Sequence, residues 1–352
     1  MMLAFVATED HQYTFRDVFE TRVHAFRGRV ILLSYRDFLS WPRLPLADYV
    51  FVDLERLPLP LLLAAEARFA RLRAAAPGLR ALNPPSPALG RLEVMRRLHA
   101  AGINRFRVEP ASARELETPL RFPLFLRRID DHEGPMSALL EDEAALAGAL
   151  AKAAADGIPA NALVVTEYVD ARNADGYHEK LSYFRIDRGL FPSALDMSRN
   201  WVCKGVVGDP DTVENYAREQ AFLTGNPHAA LLEPAFDAAG IDYGRADYAM
   251  VDGRPQIFEI NTNPLIDAPE AMPAALRPYA ELLVARWLDM LATYSPPRDG
   301  GRRWVAVPGA VPVAAAGGHH LRRAVRALLG AVGHLHNETR AMRPLRLAGI
   351  AR

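Results

Sequence analysis

The hydrophobic positions of this chain fall into two rhythms. Over residues 1 to about 103, the short apolar runs "LAFVAT", "RVILLSY", "DYVFVDL" and "LRALN" alternate with stretches of helical period. Runs of that length bounded by polar residues predict buried strands, and strand–helix alternation predicts a small parallel α/β domain. Residues 59–76 read as one helix. "SPALGRLEVMRRLHAAGI" reads as another, with Ser86 as N-cap, Pro87 in the first turn and Gly102 as the stop.

From about residue 104 the rhythm changes. A second unit, about 104–170, holds the strand "FPLFLRR", a helix over about 136–155 and the strand "ALVVTEYVD". A third, about 171–293, opens with a hairpin, "YHEKLSYFRI" and "LFPSALDMS" around a turn at Asp187-Arg188-Gly189. Two helices, a second hairpin and a closing helix, "EAMPAALRPYAELLVARWLDML", complete it. Residues 294–352 begin as a Pro/Gly/Ala linker and end in a basic stretch with an apolar helical stripe (Leu321, Val325, Leu328, Leu329, Val332).

The second hairpin, "GRADYAMVDGRPQIFEINTNP", carries the chemistry. Asp252-Gly253 signals its turn. A three-residue loop, Asp252 to Arg254, would pair Val251 with Pro255, set Asp247 opposite Glu259 and set Arg245 opposite Asn261. All four side chains would then project from one face at one end of the hairpin, with Tyr248, Met250, Phe258 and Ile260 on the other face. Two carboxylates and an amide oxygen make a hard, oxygen-rich site of the kind Mg²⁺ uses alongside substrate phosphates. Arg245 adds a fixed cation for a developing negative charge. The competing reading is a buried ion pair of Arg245 with Asp247 or Glu259, capped by Asn261.

The same residues resemble the metal-binding end of the ATP-grasp superfamily, and within it the D-alanine–D-alanine ligase-like carboxylate–amine ligases, which carry a similar "R-x-D … E-x-N-T-x-P" run. The resemblance implies an ATP-grasp fold of α/β class, with a small N-terminal parallel pre-ATP-grasp domain and α+β lobes that clamp ATP. It implies Asp247, Glu259 and Asn261 as ligands of Mg²⁺ (or Mn²⁺) and Arg245 as a contact to the acyl phosphate or tetrahedral intermediate. "FPLFLRR" resembles the strand that carries a phosphate-contacting lysine; here the cation is Arg127 or Arg128, and Arg127 follows the apolar run directly. "LVVTEYVD" resembles the hinge strand, which implies Glu167 at the ribose or adenine amine and the backbone of Tyr168 and Val169 at the adenine edge. "HEKLSYFRI" implies Lys180 at the phosphates. Read on their own, Glu167 could equally be an ion-pair partner and Lys180 a surface strand residue. The lid segment "IDDHEGPMS" departs from the family's Gly/Ser-rich pattern, since Asp130, Asp131 and Glu133 would repel phosphate.

The activity implied is an ADP-forming, ATP-dependent ligase that converts a carboxylate into an acyl phosphate for attack by an amine, on small-molecule or peptide substrates. The alternatives are a phosphotransferase on the same scaffold and a non-catalytic nucleotide-binding regulatory protein. Specificity would lie in the N-terminal domain and in loops 171–179 and 196–210.

Composition changes this picture little. The 352 residues are 50% hydrophobic with a formal net charge of +0, which gives no global field for nucleic acid. The single cysteine, Cys203, fits a core position in a reducing compartment. No apolar run approaches the ~20 residues of a membrane span, and "MMLAFVATEDHQ" reads as a first strand, so the expectation is a cytoplasmic protein. From Ser295 onward there are ten arginines against Asp299 and Glu338, a tail of +8 facing a remainder of −8. That asymmetry favours docking or self-association, as in a homodimer, over nucleic-acid or membrane contact. His319, His320, His334 and His336 lack the partners of a zinc site. Trp201 reads as packing, with Lys204 close enough in sequence to line the site.

Overall fold

The structure is a computed structural model that describes residues 2–21, 26–113, 118–129, 134–203, 213–266, 269–271, 277–296 and 303–310. The first unit runs β1 (Met2–Ala7), α1 (Tyr13–Thr21), β2 (Val30–Ser34), α2 (Tyr35–Ser40), β3 (Arg43–Pro45), β4 (Ala47–Phe51), α3 (Leu59–Ala75), β5 (Ala81–Leu82) and α4 (Arg91–Ala100). Its main sheet is parallel, in the order β2-β1-β4-β5. Buried on both faces, β1 is apolar throughout: α1 packs against Leu3, Phe5 and Ala7, while α2 and α3 pack against Ala4 and Val6. The α/β class read from the sequence is thus what the chain adopts.

The second unit contains β6 (Val108–Pro110), β7 (Leu124–Arg128), α5 (Glu143–Ala155) and β8 (Leu163–Glu167), with an antiparallel sheet in the order β6-β8-β7. The third contains β9 (His178–Ile186), β10 (Gly189–Ser198), α6 (Val213–Gly225), α7 (Ala229–Ala239), β11 (Tyr243–Val251), β12 (Arg254–Asn261) and α8 (Arg277–Tyr294). Its antiparallel sheet has the order β10-β9-β11-β12. Trp287 of α8 stands 6.1 Å from Phe5 of β1 and donates through Nε1 to Tyr243 Oη of β11 (3.1 Å), so α8 binds the first sheet to the last. No described helix is long and apolar enough to cross a membrane.

Several boundaries differ from the sequence reading, each for a local reason. The helix expected from 136 begins at Glu143, capped by Asp142, because residues 136–140 pair with β7: Leu124 and Leu140 exchange backbone hydrogen bonds and the Met136 amide donates to the Leu126 carbonyl. Ser86 caps only a single 3₁₀ turn over Pro87–Leu89; the chain is extended at Gly90, and α4 starts at Arg91. Gly102 ends that helix with a left-handed φ of 71°.

The expected linker also carries structure. β13 (Trp304–Ala306) returns to the first unit and pairs antiparallel with β3. Arg68 of α3, almost fully buried, fastens it: its guanidinium donates to the carbonyls of Phe38, Trp41, Val307 and Pro308. The stripe at 321–332 lies outside the described residues, as do His319, His320, His334 and His336. Because Arg68 is a buried guanidinium shared by four carbonyls, Arg68→Met should lower unfolding stability of the full chain by on the order of 3 kcal/mol in urea denaturation; an unchanged midpoint would mean that the strand is held by β3 alone.

Candidate functional site

The β11–β12 hairpin turns through two residues, not three. Asp252 (φ 49°) and Gly253 (φ 73°) are both left-handed, the requirement of a two-residue primed turn, and Val251 pairs with Arg254. That shift would have displaced every later pair. A bulge between Asp247 and Tyr248 absorbs it, so Asp247 does stand opposite Glu259 and Arg245 opposite Asn261. Gly244 permits the strands to close at this end: a Cβ there would lie 2.8 Å from the Asn261 carbonyl oxygen.

The carboxylates at this end are held by cations, those of Glu259 from two other elements and that of Asp247 from its own strand. Glu259 Oε2 accepts from Arg127 Nη2 of β7 (2.8 Å) and pairs with Arg91 Nη1 of α4 (3.2 Å). Asp247 accepts from Arg245 Nε (3.0 Å) and from Ser182 Oγ of β9 (2.9 Å). Lys180, on β9, pairs with Asp196 Oδ2 of β10 at 2.8 Å. Burial works against the charge on Lys180, but Asp247 and Asp196 outweigh it and hold its ammonium above the usual range. The Arg245 guanidinium is likewise raised against its own burial by Asp247 and Glu259. Asn261 Oδ1 accepts from the Asn263 amide at 2.8 Å. Among the described residues, four cations (Arg91, Arg127, Lys180, Arg245) therefore meet three carboxylates (Asp196, Asp247, Glu259), a surplus of one positive charge.

Of the adjacent arginines, Arg127 is the one that reaches the hairpin. Arg91 is the residue that sequence reasoning missed. Its signal was Gly90 inside an otherwise helical pattern: the break puts Arg91 at the start of α4, against β12 rather than along a longer helix.

The hinge differs from the expectation. The Glu167 side chain is buried and its carboxylate is taken by protein donors: the backbone amides of Arg107 (3.0 Å) and Arg121 (2.8 Å) and both their guanidinium groups. The Tyr168 amide donates to the Pro123 carbonyl at 2.9 Å. Glu167 is therefore engaged as an ion-pair clasp of this lobe, the competing reading of this residue, and the Tyr168 amide is engaged within the protein as well. Backbone donors at Val169 fall outside these contacts; its side chain packs on the core. Trp201 stands 5.1 Å from Phe125 and 5.9 Å from Tyr168, at an open cleft of about 360 Å³ that Asp170, His178 and Arg199 also line. Cys203 Sγ donates to the His178 carbonyl, and burial pushes its thiol up to about 11, so it is an inert packing group. Lys204 and the acidic lid positions Asp130, Asp131 and Glu133 lie outside the described residues; Ser137, just beyond them, accepts from the Leu126 amide at 3.0 Å.

Among the described residues no three His, Cys, Asp or Glu side chains converge on one point. Asp247, Glu259 and Asn261 nonetheless offer hard oxygens on one face, a donor set suited to an ion that takes one or two carboxylates and completes its shell from a ligand. The cation surplus suits a polyanion in the same place.

The sequence matches no protein-family model and no curated protein. Among solved structures, the chain is similar to a D-alanine–D-alanine ligase from Bacillus anthracis complexed with ATP, at 13% identity and a TM-score of 0.44, over 84% of this chain and 99% of that one. It is similar to a RimK domain protein ATP-grasp from Sphaerobacter thermophilus at 17% identity and 0.43, over 80% and 98%. It is similar to a D-cycloserine synthetase at 16% and 0.41, over 81% and 99%. Scores of this size do not identify a shared fold, and the case for chemistry rests on the side chains.

Two outcomes are expected. Gly244→Ala should destabilise the hairpin by about 1–3 kcal/mol, since backbone must move to admit the methyl group; thermal unfolding measures it. For Glu167, burial raises the carboxyl, but Arg121 and Arg107 overcome it and hold the group below the usual carboxylate range. A depressed folded value gives stability that is complete above the unfolded value, about 4.3, and is lost as pH falls through the folded value. The stability difference between wild type and Glu167→Gln should therefore be level near neutrality and shrink below about pH 4, read by denaturant titration across pH.

Proposed function

We propose that this chain is an ATP-dependent ligase of the ATP-grasp kind, which activates a carboxylate for attack by an amine. The observation that carries the reading is the register at the end of the β11–β12 hairpin. It brings Arg245, Asp247, Glu259 and Asn261 together, and Arg127, from a separate sheet, lands on Glu259. Three arginines, a lysine and three acids at one end of two sheets are more equipment than packing requires.

On this reading Asp247, Glu259 and Asn261 hold Mg²⁺ (or Mn²⁺), while Arg91, Arg127 and Lys180 take the triphosphate. Bound ATP would give its γ-phosphoryl group to the substrate carboxylate, with ADP as leaving group, and the amine would then displace inorganic phosphate from the acyl phosphate. Arg245, pinned by Asp247, stabilises the negative charge that develops as the amine attacks. Phosphate oxygens would compete with Glu259 for the Arg127 and Arg91 guanidiniums, and the oxygens of Glu259 would then be available to the ion. The comparisons above name ligases of this kind, one complexed with ATP. The acid and amine would be small molecules or peptides.

A second reading has one observation in its favour. The protein donors on Glu167 and the engaged Tyr168 amide leave an adenine without two of the contacts that the resemblance implies. A chain that binds nucleotide weakly, for regulation and not for turnover, would tolerate that loss.

Calorimetric titration with ATP, with and without Mg²⁺, tests the proposal. Wild type should bind ATP at least tenfold more tightly with Mg²⁺, and Glu259→Gln with Asn261→Ala should lose that enhancement while still binding ATP. ATP binding that is indifferent to Mg²⁺ and to both substitutions would leave the hairpin end structural and the ligase reading without support.

A further inference from the structure

Arg245 and Asn261 form the last pair of the β11–β12 ladder, and beyond them the chain leaves the sheet. The ladder therefore does not fix the far side of Asn261, whose side-chain oxygen is the third offered to an ion. The next residue, Thr262, is completely buried, and its amide and hydroxyl are both taken by the first unit.

Asp53 turns the chain after β4 with a left-handed φ of 60°, and a single 3₁₀ turn follows over Leu54–Arg56. The buried Glu55 carboxylate in that turn grips Thr262 at two points: Oε1 accepts from the Thr262 amide (3.3 Å) and Oε2 from its hydroxyl. The same hydroxyl accepts from the Leu54 amide at 3.1 Å. A hydroxyl held as donor and acceptor at once has its rotation fixed.

The grip reaches Asn261 through the backbone. The Thr262 N–H lies in the same planar peptide unit as the Asn261 Cα and carbonyl, so a bond to that N–H sets the plane from which the Asn261 side chain departs. That side chain is tied again on the other side of Thr262: its Oδ1 accepts from the Asn263 amide (2.8 Å), a ring of side chain and backbone that closes over Thr262. Asn263 is anchored to the first unit in turn. Its Oδ1 stands 2.6 Å from Thr14 Oγ1, and its Nδ2 donates to the His11 carbonyl at 3.2 Å. An amide oxygen has two lone pairs; the Asn263 amide uses one on Asn261 Oδ1 and leaves the other for an ion.

We propose that Glu55 is a positioning residue for the ion site: acting through Thr262, it aims Asn261 Oδ1 at the ion that Asp247 and Glu259 share. The inference rests on the ligase reading of the hairpin end and deepens it, since it makes the first unit part of the ion's support. Glu55 itself touches neither ion nor nucleotide. Mg²⁺ demands near-ideal ligand angles, and the partners that orient its ligands govern its affinity. A side chain that only stapled the first unit to β12 would change stability and leave the ion's effect on ATP as it was.

The test is calorimetric titration of the full chain with ATP, with and without Mg²⁺, on wild type, Glu55→Met, Thr262→Val and Thr262→Ser. Circular dichroism reports whether each is folded. Thr262→Val keeps the shape and the amide but loses the hydroxyl; Thr262→Ser keeps both polar groups. Glu55→Met and Thr262→Val should each remove most of the Mg²⁺ enhancement of ATP affinity, a loss of roughly tenfold, and leave metal-free ATP binding unchanged. Thr262→Ser should keep the enhancement. Should Glu55→Met not fold, the two Thr262 variants decide. Enhancement that survives in Thr262→Val, or is lost equally in Thr262→Ser, overturns the proposal. An equal loss of ATP affinity with and without Mg²⁺ overturns it too, as the mark of a purely structural contact. Wild type that shows no enhancement sinks the ion site and this inference together. Enhancement that depends on Glu259 and Asn261 but not on Thr262 or Glu55 sinks this inference alone.

Discussion

A carboxylate taken out of water must be matched by cations that stay with it, and Glu259 meets that condition across three units of the chain. Arg91 comes from the last helix of the first unit, Arg127 from the small antiparallel lobe, and Glu259 from the last sheet. Remove the acid and the buried Arg91 and the largely buried Arg127 lose the carboxylate they share, the costly form of a broken buried pair. The relative placement of the two antiparallel sheets is thus written into one side chain. Its partners are long and jointed, so the same contact that holds the units can be traded for a ligand's oxygens.

Glu167 makes the contrast. It is fully buried where Glu259 is only partly so, and it also faces two arginines, but it takes two backbone amides as well. Amides of the main chain cannot swing away to admit a ligand. The two acids look alike in sequence, each in an apolar strand, and the difference between an exchangeable and a permanent set of donors separates a site from a clasp.

That difference explains what could be read in advance. The class of the fold follows from periodicity, and the existence of the hairpin follows from alternation plus an Asp-Gly turn. The turn length was read one residue too long, and a bulge at Asp247/Tyr248, which alternation does not reveal, returned the functional pairs to register. The start of α5 was misread because residues 136–140 are helix-compatible in composition yet spend their backbone groups on β7. Arg91 and the partners of Glu167 were invisible for a common reason. Each depends on side chains about 46 to 168 positions away along the chain, and no local pattern specifies which distant arginine arrives.

The return of β13 to β3 has a consequence for how the protein can be divided. Arg68 finds its four acceptors on both sides of the molecule's sequence, at Phe38 and Trp41 and again at Val307 and Pro308. A polypeptide ending near residue 103 would keep every strand of the parallel sheet and still contain a buried guanidinium stripped of half its acceptors. The first unit is complete by topology but not self-sufficient: its last structural element, β13, is made some two hundred residues after α4 ends, so in synthesis it stays unsealed until nearly all of the described chain exists.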